Sequence, residues 1–292
     1  MKQKLFTGVG TALITPFHQD GSVDFQALKN LINWQIEKGI DALIALGTTA
    51  EAATMTNQEW CDVLTCVVET AAHRVPVIAG TGGNNTAAVI EKAKMAKKLG
   101  ADGQLCVTPY YNKATQKGLI AHYTAIHDQT DLPIILYNVP SRTGLTMKAE
   151  TVWELSKLPR IAGIKEASGD AGLAGDILSL CGEDMPLYSG SDEITLPLRA
   201  IGGSGVISVL SNVAPEMMLD ICHKPLEEAG KCQLGAMKLI RLLFSEVNPI
   251  PVKAAAAHMG LCQNVLRLPL TSMEKQNEEK LIAELERLNV RC

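Results

Sequence analysis

Lys165 closes the apolar run Ile161-Ala162-Gly163-Ile164, and Tyr137 closes Pro133-Ile134-Ile135-Leu136, with Arg142 five residues further on. Each run is short and uncharged before it breaks into reactive side chains. That is how a buried parallel strand delivers a catalytic group to its carboxyl end. A lysine in such a place is partly desolvated, which lowers its pKa and frees the neutral amine to attack a carbonyl carbon. The chemistry these residues suggest is formation of a Schiff base.

The elements that must position them follow from the rest of the pattern. Short aliphatic or β-branched runs recur at 8–14, 42–46, 75–79, 104–107, 133–137, 161–165, 187–189 and 206–209, eight in all. Helical periodicity fills the gaps: after Asp24, Leu28, Leu31, Ile32 and Ile36 share one face. Thr56-Asn57-Gln58-Glu59 is a capping-box pattern, and Asn84 or Asn85 can cap the next helix. Gly39 and Gly100 stand where helices should end. Eight strand-then-helix units predict an α/β fold, a (β/α)8 TIM barrel, over about 250 residues. A doubly wound dinucleotide fold fits less well, because Gly80-Thr81-Gly82-Gly83 and Gly202-Gly203-Ser204-Gly205 lack the Gly-x-Gly-x-x-Gly spacing. From Pro225 the strand pattern stops. The expected organisation is a catalytic barrel over 1–224 and a C-terminal helical appendage over 225–292, where Leu281, Ile282, Leu285 and Leu288 form an apolar stripe.

Composition narrows the function classes. Of 292 residues, 47% are hydrophobic and 20% charged, an ordinary globular balance that speaks against disorder and membrane insertion. A net charge of −4 with no basic run points away from nucleic acid and anionic membranes. Eight scattered cysteines (Cys61, Cys66, Cys106, Cys181, Cys222, Cys232, Cys262, Cys292) have no C-x-x-C spacing, and Met1-Lys2-Gln3-Lys4-Leu5-Phe6 opens no secretory segment. The expected compartment is a reducing cytoplasm. The histidines do not cluster; His122 and His127, at i, i+5, do not share a helix face. No metal site and no separate cofactor are expected.

In a barrel the strand carboxyl ends form the active face. Gly47-Thr48-Thr49-Ala50-Glu51 follows the second run, Thr108-Pro109-Tyr110-Tyr111-Asn112 the fourth, and Gly190 the seventh. The inventory holds an amine, several hydroxyls and a guanidinium, without paired carboxylates or a Ser/His pair. It suits carbanion chemistry on a small keto acid: Lys165 condenses with the ketone, and the protonated imine serves as electron sink while a neighbouring carbon becomes an enamine. Tyr137 and Thr48 could shuttle protons. Arg142 has the donor fork for a substrate carboxylate, and hydroxyls and N–H groups at Thr48 and Thr49 could hold that of the keto acid. Singly, each residue has a plain structural explanation: a solvated strand end for Lys165, a core phenol for Tyr137, a turn for Thr48, a surface charge for Arg142. Their fall at one end of one barrel is what argues for catalysis.

At these residues the sequence resembles the dihydrodipicolinate synthase family of class I pyruvate-dependent aldolases and lyases. The motifs, spread over essentially the whole chain, are Gly47-Thr48-Thr49, Pro76-Val77-Ile78-Ala79-Gly80-Thr81-Gly82, Val107-Thr108-Pro109-Tyr110-Tyr111-Asn112, Leu136-Tyr137-Asn138-Val139-Pro140-Ser141-Arg142-Thr143-Gly144, Gly163-Ile164-Lys165-Glu166-Ala167, Gly205-Val206-Ile207-Ser208-Val209 and Asn248-Pro249-Ile250-Pro251-Val252-Lys253. The resemblance implies a lyase that joins pyruvate to L-aspartate-4-semialdehyde on the route to diaminopimelate and lysine, with Lys165 carrying the imine. It implies a relay of Tyr137, Thr48 and Tyr111, with Tyr111 entering a neighbouring subunit's site in a homo-oligomer, usually a dimer of dimers. It also implies that Thr49, Gly190 and Ile207 hold pyruvate and that Arg142 holds the semialdehyde carboxylate.

Ala50 and Ala52 replace residues usual in the family's loop. If Ala50 must take a positive φ, it costs about 1 kcal/mol and the loop is shaped differently. Such a change leans toward a 2-keto-3-deoxy sugar-acid aldolase, and a non-catalytic keto-acid-binding barrel is the rival of another class. Asn57, Trp60 and Ala88 stand where lysine-sensitive relatives offer histidine and glutamate, so the resemblance implies weak or no inhibition by lysine.

Overall fold

The computed structural model describes residues 4–291; expectations on the first three residues and on Cys292 fall outside them. The chain alternates strand and helix: β1 (Gly8–Ala12), α1 (Phe25–Glu37), β2 (Ala42–Ala45), α2 (Asn57–Ala71), β3 (Val77–Gly80), α3 (Thr86–Lys98) and β4 (Gly103–Val107). There follow α4 (Gln116–Gln129), β5 (Ile134–Asn138), the short α5 (Pro140–Thr143), α6 (Ala149–Ser156), β6 (Ile161–Glu166) and α7 (Ala171–Cys181). The last strands and helices are β7 (Leu187–Ser189), α8 (Thr195–Ala200), β8 (Gly205–Ser208) and α9 (Pro215–His223). Then come α10 (Leu226–Leu243), α11 (Ile250–His258) and α12 (Lys275–Arg287). All eight strands are parallel in sequence order, and β8 pairs with β1 to close a barrel.

The helices start where side chains satisfy their first N–H groups. Asp24 caps α1, whose Leu28, Leu31 and Ile32 are fully buried while Ile36 is half-buried. Thr56 and Glu59 form the reciprocal box of α2, and Asn85 rather than Asn84 caps α3.

Alternation along β5 sends Ile135 and Tyr137 into the barrel interior and Ile134 and Leu136 to the layer under the helices. The β5–β6 ladder slips by one residue between Ile134 and Ile135, so that Ile161 pairs with Ile134 but Gly163 with Ile135. Beyond this bulge Tyr137 lies beside Lys165, on the same inward face. Gly163 makes the bulge possible: its φ is +157°, and a Cβ there would stand 2.7 Å from the Pro186 carbonyl oxygen. At the amino end of the strands Phe6 stacks on Tyr188, centroids 4.3 Å apart, and the Tyr188 hydroxyl donates to the Phe6 carbonyl at 2.7 Å.

The helices after Lys224 are not peripheral to the core. Leu239, Leu243, Val252, Leu281 and Leu285 belong to the same buried cluster as Leu28, Leu31 and Val67 of α1 and α2. Ile282 and Leu288 of the terminal stripe are half-buried.

Candidate active site

The carboxyl ends of the strands surround a cavity of about 460 Å³ whose lining includes Thr48, Thr49, Tyr137, Arg142, Lys165 and Gly190. Lys165 is 6% exposed. Its Nζ sits 4.4 Å from the centre of the Tyr137 ring. Burial pulls its pKa down to about 8; Asp192 opposes that shift and Arg142 adds to it. Burial pushes the Tyr137 phenol up to about 12, so it stays protonated and able to donate.

The loop after β2 is a pair of 3₁₀ turns, Thr48–Ala50 and Ala52–Thr54. Thr48 is exposed to the cavity, and Thr49 is buried with its Oγ1 accepting from Asn248 Nδ2 at 2.9 Å. Ala50 does not take a positive φ, contrary to the possibility read from its replacement of glycine. The left-handed residues are Leu46 (φ 59°) and Glu51 (φ 56°), on either side of the turn. Glu51 is held there by Lys253, whose Nζ donates to Oε1 at 2.6 Å with both side chains fully buried, and by the Arg267 N–H, which donates to Oε2 at 2.9 Å.

Arg142 projects from α5 and donates to the Asn248 carbonyl at 3.1 Å. Gly190 follows β7, its N–H bonded to the Glu166 carbonyl at 2.7 Å; a Cβ there would lie 2.5 Å from that of Ala167, so the wall needs glycine. Ile207 lies below the cavity, packed in the interior with Tyr137 and Ile44. Tyr111 is brought to none of these residues. It is 91% exposed with φ 71°, on a loop pinned by Asn84 Nδ2 to the Tyr110 carbonyl (3.2 Å) and by Asn112 Nδ2 to the Asn84 carbonyl (3.0 Å). A smaller cavity of about 210 Å³ opens beside Thr48, Tyr137 and Tyr110. Of the residues tied by the resemblance to lysine sensitivity, Trp60 is buried and Asn57 and Ala88 are exposed.

Two contributors were not singled out from sequence. Asn248 belongs to a quoted motif, yet its partners Thr49 and Arg142 are 199 and 106 residues away. Asp192 is buried, with Oδ2 accepting the N–H groups of Val209 (3.1 Å) and Leu210 (2.9 Å). Burial raises its pKa and the Lys165 charge opposes that rise; its position two residues past Gly190 was the one available signal.

Residues 5–288 match the profile of the Dihydrodipicolinate synthetase family. The 4-hydroxy-tetrahydrodipicolinate synthase of Clostridium novyi is 47% identical over 289 residues, covering 98% of this chain and 97% of that one. Among solved structures, dihydrodipicolinate synthase from Thermotoga maritima superposes with a TM-score of 0.96 at 42% identity, over 98% of this chain and 99% of its own. The chloride-inhibited enzyme from Acinetobacter baumannii, complexed with pyruvate, gives 0.96 and 42% over 97% and 99%.

Proposed function

The chain belongs to the dihydrodipicolinate synthetase family, and from that premise we propose that Lys165 is the residue through which it acts. The activity is the 4-hydroxy-tetrahydrodipicolinate synthase reaction of lysine biosynthesis, condensing pyruvate with L-aspartate-4-semialdehyde. The neutral Lys165 amine attacks C2 of pyruvate, and loss of water leaves a protonated imine. A methyl proton then departs, and the resulting enamine carbon attacks the aldehyde carbon, whose oxygen takes up a proton; the acceptor's own amine, once deprotonated, adds to the imine carbon and expels the Lys165 amine, closing the six-membered ring and freeing the enzyme. Tyr137 and Thr48 carry these protons. Thr48 and Thr49 hold the pyruvate carboxylate, Gly190 and Ile207 bound the site that pyruvate occupies, and Arg142 holds the carboxylate of the semialdehyde.

The observation that carries this reading is one side-chain pair: a lysine with its pKa pulled down to about 8, 4.4 Å from the ring of a tyrosine that stays protonated. A sugar-acid acceptor loses its sequence support, because Ala50 sits in an ordinary 3₁₀ turn.

The barrel, 1–224, supplies the reacting groups, and the helical unit, 225–292, braces them. The working unit is a homo-oligomer, a dimer of dimers, in which Tyr111 completes a neighbour's relay; its exposure on a pinned loop and the cavity beside Thr48 and Tyr137 support this. The chain works in the cytoplasm, a placement supported by the free thiols of Cys61, Cys66, Cys106, Cys222, Cys232 and Cys262. Among the described residues no helix is long and apolar enough to cross a membrane.

Borohydride added with pyruvate should attach a stable mass to the peptide carrying Lys165, and Lys165→Ala should abolish both adduct and turnover. An adduct on another residue, or none, refutes the mechanism.

A further inference from the structure

The acceptor, L-aspartate-4-semialdehyde, carries an ammonium and a carboxylate on one carbon. Arg142 answers the carboxylate, but an arginine alone would bind the deamino analogue, succinate semialdehyde, equally well. The cavity offers a second feature at its rim. Three cationic side chains line it, Lys165, Arg142 and Arg241, and a single carboxylate, Glu193. Arg241, on α10, donates through Nε to Glu193 Oε1 at 3.0 Å. Among the described residues, Glu193 Oε2 and the terminal nitrogens of Arg241 take part in no hydrogen bond, so the carboxylate is held by one oxygen and unspent at the other. An ion pair with side-chain exposures of 43% and 70% adds little to stability.

The backbone under Glu193 is fixed. Its predecessor Asp192 is buried, with two N–H groups on Oδ2, and the Asp192 carbonyl accepts from Gln233 Nε2 at 3.0 Å. Gln233 and Arg241 both belong to α10, so one helix sets both the position of the carboxylate and its orientation. A fixed carboxylate facing the same cavity as Arg142 has the charge and geometry to accept an ammonium donor.

We infer that Glu193, oriented by Arg241, receives the α-ammonium of the acceptor and is the residue that selects the amino aldehyde over its deamino analogue. The inference deepens the reading above and rests on Lys165 and Arg142 acting as described there. A site built to pair a substrate donor discriminates strongly against the analogue that lacks it, because its own polar group is then left unpaired.

The test compares KM for aspartate-semialdehyde with the inhibition constant of succinate semialdehyde, which lacks the amine that expels Lys165 and is therefore read as a competing ligand, in the unsubstituted protein and in Glu193→Gln, Glu193→Asp and Arg241→Met. Glu193→Gln should raise KM for aspartate-semialdehyde roughly tenfold or more, the factor carried by one charge-assisted hydrogen bond. It should leave KM for pyruvate unchanged and remove most of the preference between the two aldehydes. Glu193→Asp should recover part of that preference, and Arg241→Met should move KM the same way by a smaller factor. Borohydride trapping is read on the same samples. An intact adduct with an unchanged preference in Glu193→Gln, or an equal loss on both aldehydes, overturns the role of Glu193 alone. An adduct missing from the unsubstituted protein overturns the imine reading and this inference with it.

Discussion

A lysine with an ordinary pKa offers about one neutral amine in a thousand at pH 7.5; one near 8 offers about one in four. The barrel gains that factor by burying Lys165 to 6% exposure rather than by adding a base. Because burial disfavours the charged form, the reactive form accumulates as pH rises through the lowered pKa. The rate of borohydride trapping with pyruvate should therefore climb with pH and level off above about 8. Arg142 pushes the same pKa down, so Arg142→Met should move that limb to higher pH; a limb that stays or moves down would show that the two charges do not communicate. Lys165, Tyr137, Thr48, Thr49 and Arg142 could be read in the chain because each ends or follows an uncharged run, a local signal. Asn248, Asp192 and Glu193 could not, since what gives them meaning is a partner 17 to 199 residues away.

At the scale of elements, the loop Thr48–Ala50 is a turn braced from outside. Its flanking residues Leu46 and Glu51 sit in the left-handed region, and Asn248 and Lys253, at the start of α11, grip Thr49 and Glu51. Lys253→Met leaves the Glu51 carboxylate buried with only the Arg267 N–H, and breaking a buried pair costs about 3–5 kcal/mol. We expect a lower Tm together with a higher KM for pyruvate, and partial recovery of Tm when Glu51→Gln is added. Calorimetry and steady-state kinetics check this; an unchanged KM would reduce the brace to a packing role. The eight strands stood out in the sequence to within two residues at each end, because a strand buried on both faces is an apolar run. The four-residue α5 did not, being shorter than a helical period can reveal, yet it is the element that projects Arg142. The strain feared at Ala50 falls one residue later, on Glu51, where the side chain is anchored.

At the scale of the whole molecule, a single chain does not complete the proposed relay. Tyr111→Phe should cost at least about a hundredfold in kcat, a typical share for a proton-transfer group, although the side chain is 91% exposed and touches nothing in its own cavity. Mixing Tyr111→Phe with Lys165→Ala under conditions of subunit exchange should restore activity that neither has alone, since some hybrid sites then carry both residues intact. No recovery would place Tyr111 outside the relay. The helical unit was legible as helix but not as a brace, because a periodic apolar stripe reports burial without naming the surface it meets. The Phe6–Tyr188 stack closes the other end of the barrel. The cavity at the carboxyl ends therefore has depth, with Lys165 buried within it and Arg142 and Arg241 exposed nearer its mouth. Depth sets a sequence on the proposed reaction: the keto acid joined to Lys165 lies beneath the acceptor held at Arg142, so it has to be seated before the aldehyde settles above it.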